Sequence, residues 1–243
     1  MEVRLSGLTV AALWALQQGQ ATTPQLGAGQ EISLGQIWEQ GGFMMWPLGA
    51  ALAIGMLIIL WKFIDMQIKS SRTKSFLDEI DELIGEQRLG EALAMCEESK
   101  SPAAPVLEAG LKRRDEGTER VTQAIENAGA IQMVGLEKGL VWLATIANVA
   151  PLMGFLGTVI GMIQAFQAIE IAGEVQATLV AGGIKVALIT TATGLTIAIP
   201  MNIMHNYFVS QVDQLVIDME ESTQKMIDVV HEGEKGAARD DRE

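Results

Sequence analysis

The chain is poor in the residues that most chemistry needs. It has one cysteine, one tyrosine and two histidines among 243 residues. A single thiol, Cys96, excludes an intramolecular disulfide and a thiolate metal cluster, and "ALAMCEES" places it as a small residue on a helix. No metal-ligand spacing, phosphate-cradling glycine loop, nucleophile elbow or cofactor motif occurs, so the sequence reads as a non-enzyme without a cofactor. Basic residues are also scarce, 17 Lys and Arg against 30 Asp and Glu, for a net charge of −13. That balance excludes a nucleic-acid partner, which needs a basic face. The acids lie mainly between Asp65 and Glu137 and after Asp213.

What remains is apolar, at 49% of the residues, and it is gathered into three blocks separated by charged sequence. Gly41 to Trp61 is uncharged for about 21 residues, enough for one membrane crossing at 1.5 Å per residue. Trp46 and Trp61 sit near its ends, where indole rings favour the interface. Residues 139–169 form a second block, roughly 46 Å long as one helix, which exceeds the hydrocarbon thickness and predicts tilt or projection. The third runs over 184–208. The predicted fold is therefore all-α: a polytopic membrane protein with three transmembrane helices and long cytoplasmic helical extensions.

Orientation follows from the flanks. Lys62, Lys69, Arg72 and Lys74 follow the first span, whereas only Glu31 and Glu39 precede it, which places its C-terminal end in the cytoplasm. The loop over 170–183 holds Glu170 and Glu174, as expected outside. The chain thus divides into a signal-like segment and periplasmic lead-in (1–41), a first span (42–64), a cytoplasmic helical region (65–138), a second span (139–169), a periplasmic loop (170–183), a third span (184–208) and a cytoplasmic helix with an acidic tail (209–243). The opening "MEVRLSGLTVAALWALQQGQA" reads either as a weak secretory signal ending near Ala21 or as a peripheral apolar segment. In the cytoplasmic region, Leu77, Ile80, Leu83 and Ile84, then Leu89, Leu93 and Cys96, recur at helical spacing before "SPAAP" interrupts it. These short helices are expected to pack on extensions of the membrane helices. Val209, Val212, Val216, Met219 and Thr223 keep a seven-residue rhythm, read as a seam between copies of this chain.

Hydroxyls and small residues stand out within the spans. "ITTATGLTIAIP" carries Thr190, Thr191, Thr193 and Thr196 with no ionisable group. One transmembrane threonine ordinarily bonds its own i−4 carbonyl, but four within seven residues point to a polar face lining a seam or cavity. Gly157 and Gly161 form a GxxxG pair with Gly154 nearby, which allows close helix approach, and Pro151 predicts a kink. Lys185 is the charge at the outer end of the third span; it either snorkels to the interface or forms a periplasmic gate.

"APLMGFLGTVIGMIQAF" (150–166) together with "GGIKVALITTATGLTIAIPMNIMHN" (182–206) resembles the paired signature of the ExbB/TolQ/MotA proton-channel family, nearer ExbB and TolQ because three spans are present. "LGEALAMCEESKSPAAPVLEAGL" fits their cytoplasmic segment, and the likeness runs from about Gly42 to the end of the third span. The resemblance implies a homopentamer in an inner membrane, enclosing the helices of a single-span ExbD/TolR-like subunit with a membrane aspartate. It also implies an output through a TonB-like or TolA-like energy transducer. Thr158 matches the threonine of the family's "GT" motif and Thr191 that of its "TA.GL" motif, both lining the proton path. The family's glutamate early in the third span is replaced here by Val186, after Lys185. A passive scaffold that recruits partners through its cytoplasmic helices, and a channel for Na⁺ in place of H⁺, are the other readings.

Overall fold

The computed structural model describes residues 34–240, with the side-chain surroundings given up to His231 apart from Leu179. The signal-like stretch and most of the lead-in lie outside the described residues. The chain divides into two units, Met1–Gln40 and Gly41–Glu243. In the first, the described part is a short helix, α1 (Leu34–Gln40). The second contains everything discussed below.

A 3-10 turn over Gly42–Met44, with Gly42 at φ +66°, leads into α2 (Met45–Gly85). Two short helices follow, α3 (Leu89–Glu98) and α4 (Ala104–Leu111), then α5 (Thr118–Glu137). The chain ends in α6 (Leu140–Ala172) and the 64-residue α7 (Ala177–Asp240). No strand occurs among the described residues. Three stretches are long and apolar enough to cross a membrane: Gly42–Gly85, Leu140–Ala172 and Val180–His231. Only 22 to 33% of their apolar windows is buried inside the chain, so lipid or other subunits must cover the rest.

The helices do not stop where their apolar sequence stops. α2 continues past Trp61 to Gly85 because its burial pattern changes and its helical period persists: Met66, Thr73, Phe76, Leu77, Ile80 and Ile84 form one inward stripe. It ends where Gln87, at φ +59°, turns the chain. "SPAAP" makes the next corner. Ser101 Oγ accepts from the Ala103 amide at 3.3 Å and donates to Thr73 Oγ at 3.2 Å, which ties the corner to α2. Pro105 then occupies the first turn of α4, where its missing N–H costs nothing. Ala92, Cys96, Leu107, Leu111, Val121 and Ile125 close over the inner faces of α2 and α7 as one core. The short helices thus pack on extensions of the long ones, since none has enough apolar area to fold alone.

The seven-residue rhythm of α7 is real, but it faces inward. Val212, Met219 and Thr223 are buried in the chain's own core and Val209 and Val216 are half-buried at its edge. The centre of the stripe is shifted to Phe208, Val212, Leu215, Met219, Ser222 and Met226. Expecting this rhythm to mark a contact between copies is corrected: the α2 extension and α4–α5 occupy that face.

Lys62 departs most from its expected role as a flanking positive charge. Its side chain is 1% exposed. Its Nζ donates to the carbonyls of Leu136 at 2.5 Å and Lys138 at 3.1 Å, and Asp65 lies 4.0 Å away. The last carbonyls of a helix lack intrahelical donors. Lys62 supplies one to the end of α5 at the point where Gly139, at φ +93°, redirects the chain into α6. Trp61 lies beside that glycine, 3.2 Å from where a Cβ would stand. One dipeptide of α2 therefore fixes the entry into the second span.

Lys62→Met keeps the length and removes the donor, leaving two carbonyls unpartnered. It should destabilise the purified protein by about 1–3 kcal/mol, read as a lower thermal midpoint in detergent. Cys96 is buried on α3, and burial first, then the carboxylates of Glu108 and Glu97, push its thiol up to about 12. The nucleophilic thiolate is thus suppressed in the folded chain at neutral pH and well above it. A maleimide at pH 7–8 is expected to label Cys96 only after denaturation, as mass spectrometry would show.

Candidate functional site

α6 and α7 run antiparallel and pack on each other along the same 3.5-residue rhythm. On α6 the buried positions are Leu140, Leu143, Ala147, Ala150, Gly154, Gly157, Gly161 and Ala165. On α7 they begin at Gly183, Ala187, Thr190, Gly194 and Ile197 and continue to Met201. A shared period of 3.5 produces a left-handed pair in which each side chain enters a gap on the other helix. The membrane half of this pair contains almost nothing larger than alanine or threonine.

The register follows from what a methyl group would strike. A Cβ on Gly194 would lie 2.6 Å from the carbonyl oxygen of Ala150 and 3.1 Å from Gly154 Cα. One on Gly154 would lie 3.0 Å from Thr190 O and 3.1 Å from Thr191 Cα. One on Gly161 would meet Gly183 O at 2.7 Å, and one on Gly157 would collide with the Thr190 hydroxyl. These are backbone-to-backbone contacts, apart from Thr190, and backbone cannot rotate away. The seam depends on glycine because no side chain fits between the two helices.

The four threonines divide according to where their oxygens go. Thr193 Oγ donates to Ile189 O at 2.8 Å, and Thr196 Oγ to Ala192 O at 2.8 Å, each within its own helix. Thr190 is wholly buried beneath Gly157 and donates to Ala187 O at 2.9 Å or Val186 O at 3.1 Å. Thr191 is different. Its hydroxyl reaches Ala187 O at 3.2 Å in its own helix and Gly154 O at 3.1 Å across the seam. A hydroxyl has one proton and two lone pairs. Thr191 therefore shares or alternates its donation, and its lone pairs stay free on a half-buried side chain. Such an interhelical bond adds only about 0.6 kcal/mol on average in a membrane, so glycine packing holds the seam and the hydroxyl is available for other partners.

Thr158 lies one residue beyond Gly157, is half-buried, and donates to Phe155 O at 2.6 Å. Thr158 and Thr191 thus flank the glycine contacts with accessible lone pairs, whereas Thr190 is sealed inside. α6 continues unbroken as helix through Pro151, and α7 through Pro200. Lys185 is exposed on α7, and no ion pair to it forms among the described residues. Val186 is half-buried beside it. No carboxylate occurs within 139–169 or 184–208. No grouping of three or more His, Cys, Asp or Glu suited to a metal occurs among the described residues.

Paired long helices with a glycine seam, hydroxyls at its margin and no carboxylate within the spans define a polytopic helical membrane protein. Residues 98–221, just over half of the chain, match the MotA/TolQ/ExbB proton channel family, and the chain belongs to it. It is 29% identical over 192 residues to the putative biopolymer transport protein ExbB homolog of Methanothermobacter thermautotrophicus, covering 79% of this chain and 68% of the relative. It is 28% identical to the biopolymer transport protein exbB1 of Vibrio cholerae, covering 69% and 75%. Against the Tol-Pal system protein TolQ of Haemophilus influenzae the identity is 35%, over 44% of this chain and 47% of the relative. The membership assigns a membrane-embedded proton-channel role in energy transduction.

The GxxxG pattern revealed the α6 glycines but not their counterparts Gly183, Ala187 and Gly194. Small residues carry little hydrophobic signal, and only the 4-3-4 spacing of Gly183, Ala187, Thr190 and Gly194, the same as that of Ala150, Gly154, Gly157 and Gly161, could have revealed them. Gly194→Ala tests the seam. Alanine favours a helix by about 1 kcal/mol over glycine, yet the clash with Ala150 O should reverse the sign and destabilise by ~1–3 kcal/mol. Gly129→Ala, on α5 with open space around it, should be neutral or stabilising in the same thermal-unfolding measurement.

Proposed function

We propose that the chain is a subunit of an inner-membrane stator that couples the proton motive force to mechanical work at the cell envelope. The observation that supports this reading is Thr191 reaching across an uncharged glycine seam to Gly154 O, with Thr158 half-buried at the margin of the same seam. Such a surface can hydrate and hydrogen-bond a carboxylate in either protonation state. A fixed charge there would favour one state, whereas hydroxyls moderate the cost of ionisation without trapping it. Since the spans have no acid of their own, the titrating group belongs to another polypeptide: a single-span ExbD/TolR-like subunit with a membrane aspartate. Five copies of this chain around such helices match the family resemblance, and the large uncovered apolar faces of α2, α6 and α7 support association.

Each proton crossing 100 mV releases about 2.3 kcal/mol. A step of this size is available to move a partner helix along the flank of α6 and α7 that carries Thr158 and Thr191. The output is force on a TonB-like or TolA-like protein that spans to the outer membrane of a Gram-negative cell. The basic flank after Trp61 supports a periplasmic N-terminus and a cytoplasmic C-terminus, with Lys185 at the periplasmic mouth as a gate. The valine at 186 is consistent with a relay that uses no carboxylate from this subunit.

Replacing both Thr158 and Thr191 by valine keeps their shape and removes both hydroxyls. Proton-driven output and flux through the reconstituted complex should fall by at least about tenfold, or ~1.4 kcal/mol on the barrier, while the complex still assembles. Wild-type output in that double variant would reject their role.

A further inference from the structure

At the polar end of the α6–α7 seam, toward the cytoplasmic side of Thr158 and Thr191, lies a cavity of about 370 Å³. Glu137 at the end of α5, Thr145 and Asn148 on α6, and His205 and Asp213 on α7 line it, between aliphatic walls. The cavity lies where the small residues of the seam give way to the larger Leu140, Leu143 and Met201. Five polar side chains line it, four of them exposed and His205 half-buried, so it is a polar recess open to water on the flank of the helix pair.

It also lies on the same flank as the hydroxyl path. At 100° per residue, Asn202 and His205 fall within about 40° of the direction of Thr191 along α7, and His205 is about 21 Å from it along the axis. Leu195 and Ala198 occupy the flank between them and offer no proton acceptor, so water or the partner helix bridges that stretch. His205 is half-buried, and its Nδ1 lies 3.3 Å from Asn206 Oδ1. A proton on Nδ1 donates to that amide oxygen and leaves Nε2 as the accepting nitrogen.

We propose that this cavity is the cytoplasmic vestibule of the proton path, with His205 as the relay between channel water and bulk water. A hydronium ion in the cavity gives its proton to Nε2, forming the imidazolium and a water; the imidazolium then returns the proton to a water at the cytoplasmic side. Glu137, from α5, and Asp213, from α7, are the ionisable groups that face it across the cavity. Their carboxylates give the cavity a negative potential that raises the local proton concentration. Asn148 and Thr145 orient the intervening water. α6 contributes no ionisable group to the lining. Histidine suits this task because its unperturbed charge change falls between pH 5 and 8. This inference rests on the proton-path reading above and adds to it the inner end of the route.

The test uses the complex with its single-span partner, reconstituted in liposomes, with proton flux followed by a trapped pH dye. His205→Ala should reduce flux severalfold and remove the dependence of flux on vestibule-side pH between 5 and 8, and added imidazole should restore flux. His205→Gln should match His205→Ala without rescue, since glutamine fills the site. Wild-type flux and pH profile in both variants would overturn the vestibule, as would slowed flux that keeps the wild-type pH profile and ignores imidazole, since that pattern marks a packing role. Thr191→Val in parallel separates the two ideas. If it abolishes flux while His205→Ala does not, only the vestibule falls; if neither substitution changes flux, the threonine-lined path falls with it.

Discussion

The architecture depends on the contact between two backbones. Where Gly154 meets Thr191 and Gly194, and Gly161 meets Gly183 and Ala187, α6 and α7 are held as close as main chain permits. Lipid tails are as apolar as leucine, so burial gives no preference for helix over bilayer. Close approach, with the dispersion contacts it brings, is what remains to join the helices, and only small residues allow it. The same requirement keeps charge out, because an ionised side chain on this face would have neither water nor room. The uncharged and narrow character of the seam thus has one cause.

A second constraint acts at the membrane boundary. Lys62 and Trp61 close the end of α5 and the start of α6 in one place, and a buried ammonium with two carbonyl partners is far costlier to break than an exposed one. The apolar and polar halves of the molecule are thereby joined without a linker. α2 and α7 pass straight from one half to the other, and α3, α4 and α5 cover their polar ends. α7 thus runs from the seam into the polar bundle as one continuous helix, with no loop between the two.

Much of this was legible in residues. Three apolar blocks separated by charged sequence declared the spans, and the pairing of two threonine-bearing motifs marked the segments that form the seam. Less legible were features that depend on distance. Nothing near Lys62 in sequence points to carbonyls more than seventy positions away, and a lysine after a span reads as a flanking charge. The α7 rhythm was visible from Val209 onward, but its phase was not: Leu215 and Met226 lie at the centre and Val209 and Val216 at the edge, because neighbouring helices decide which face is inward. Which of four adjacent threonines crosses to the other helix was equally undetermined, since Thr190 and Thr191 differ only in the rotation of α7 about its axis. The vestibule draws on three separate helices, and its five polar residues are spread over nearly eighty positions.

α7 is one unbroken helix of 64 residues, about 96 Å from end to end, roughly three times the thickness of a hydrocarbon core. Gly194 divides this rod into unequal arms of about 26 and 69 Å. For any given rotation about that contact, geometry alone makes the far tip travel roughly two to three times as far as the near end.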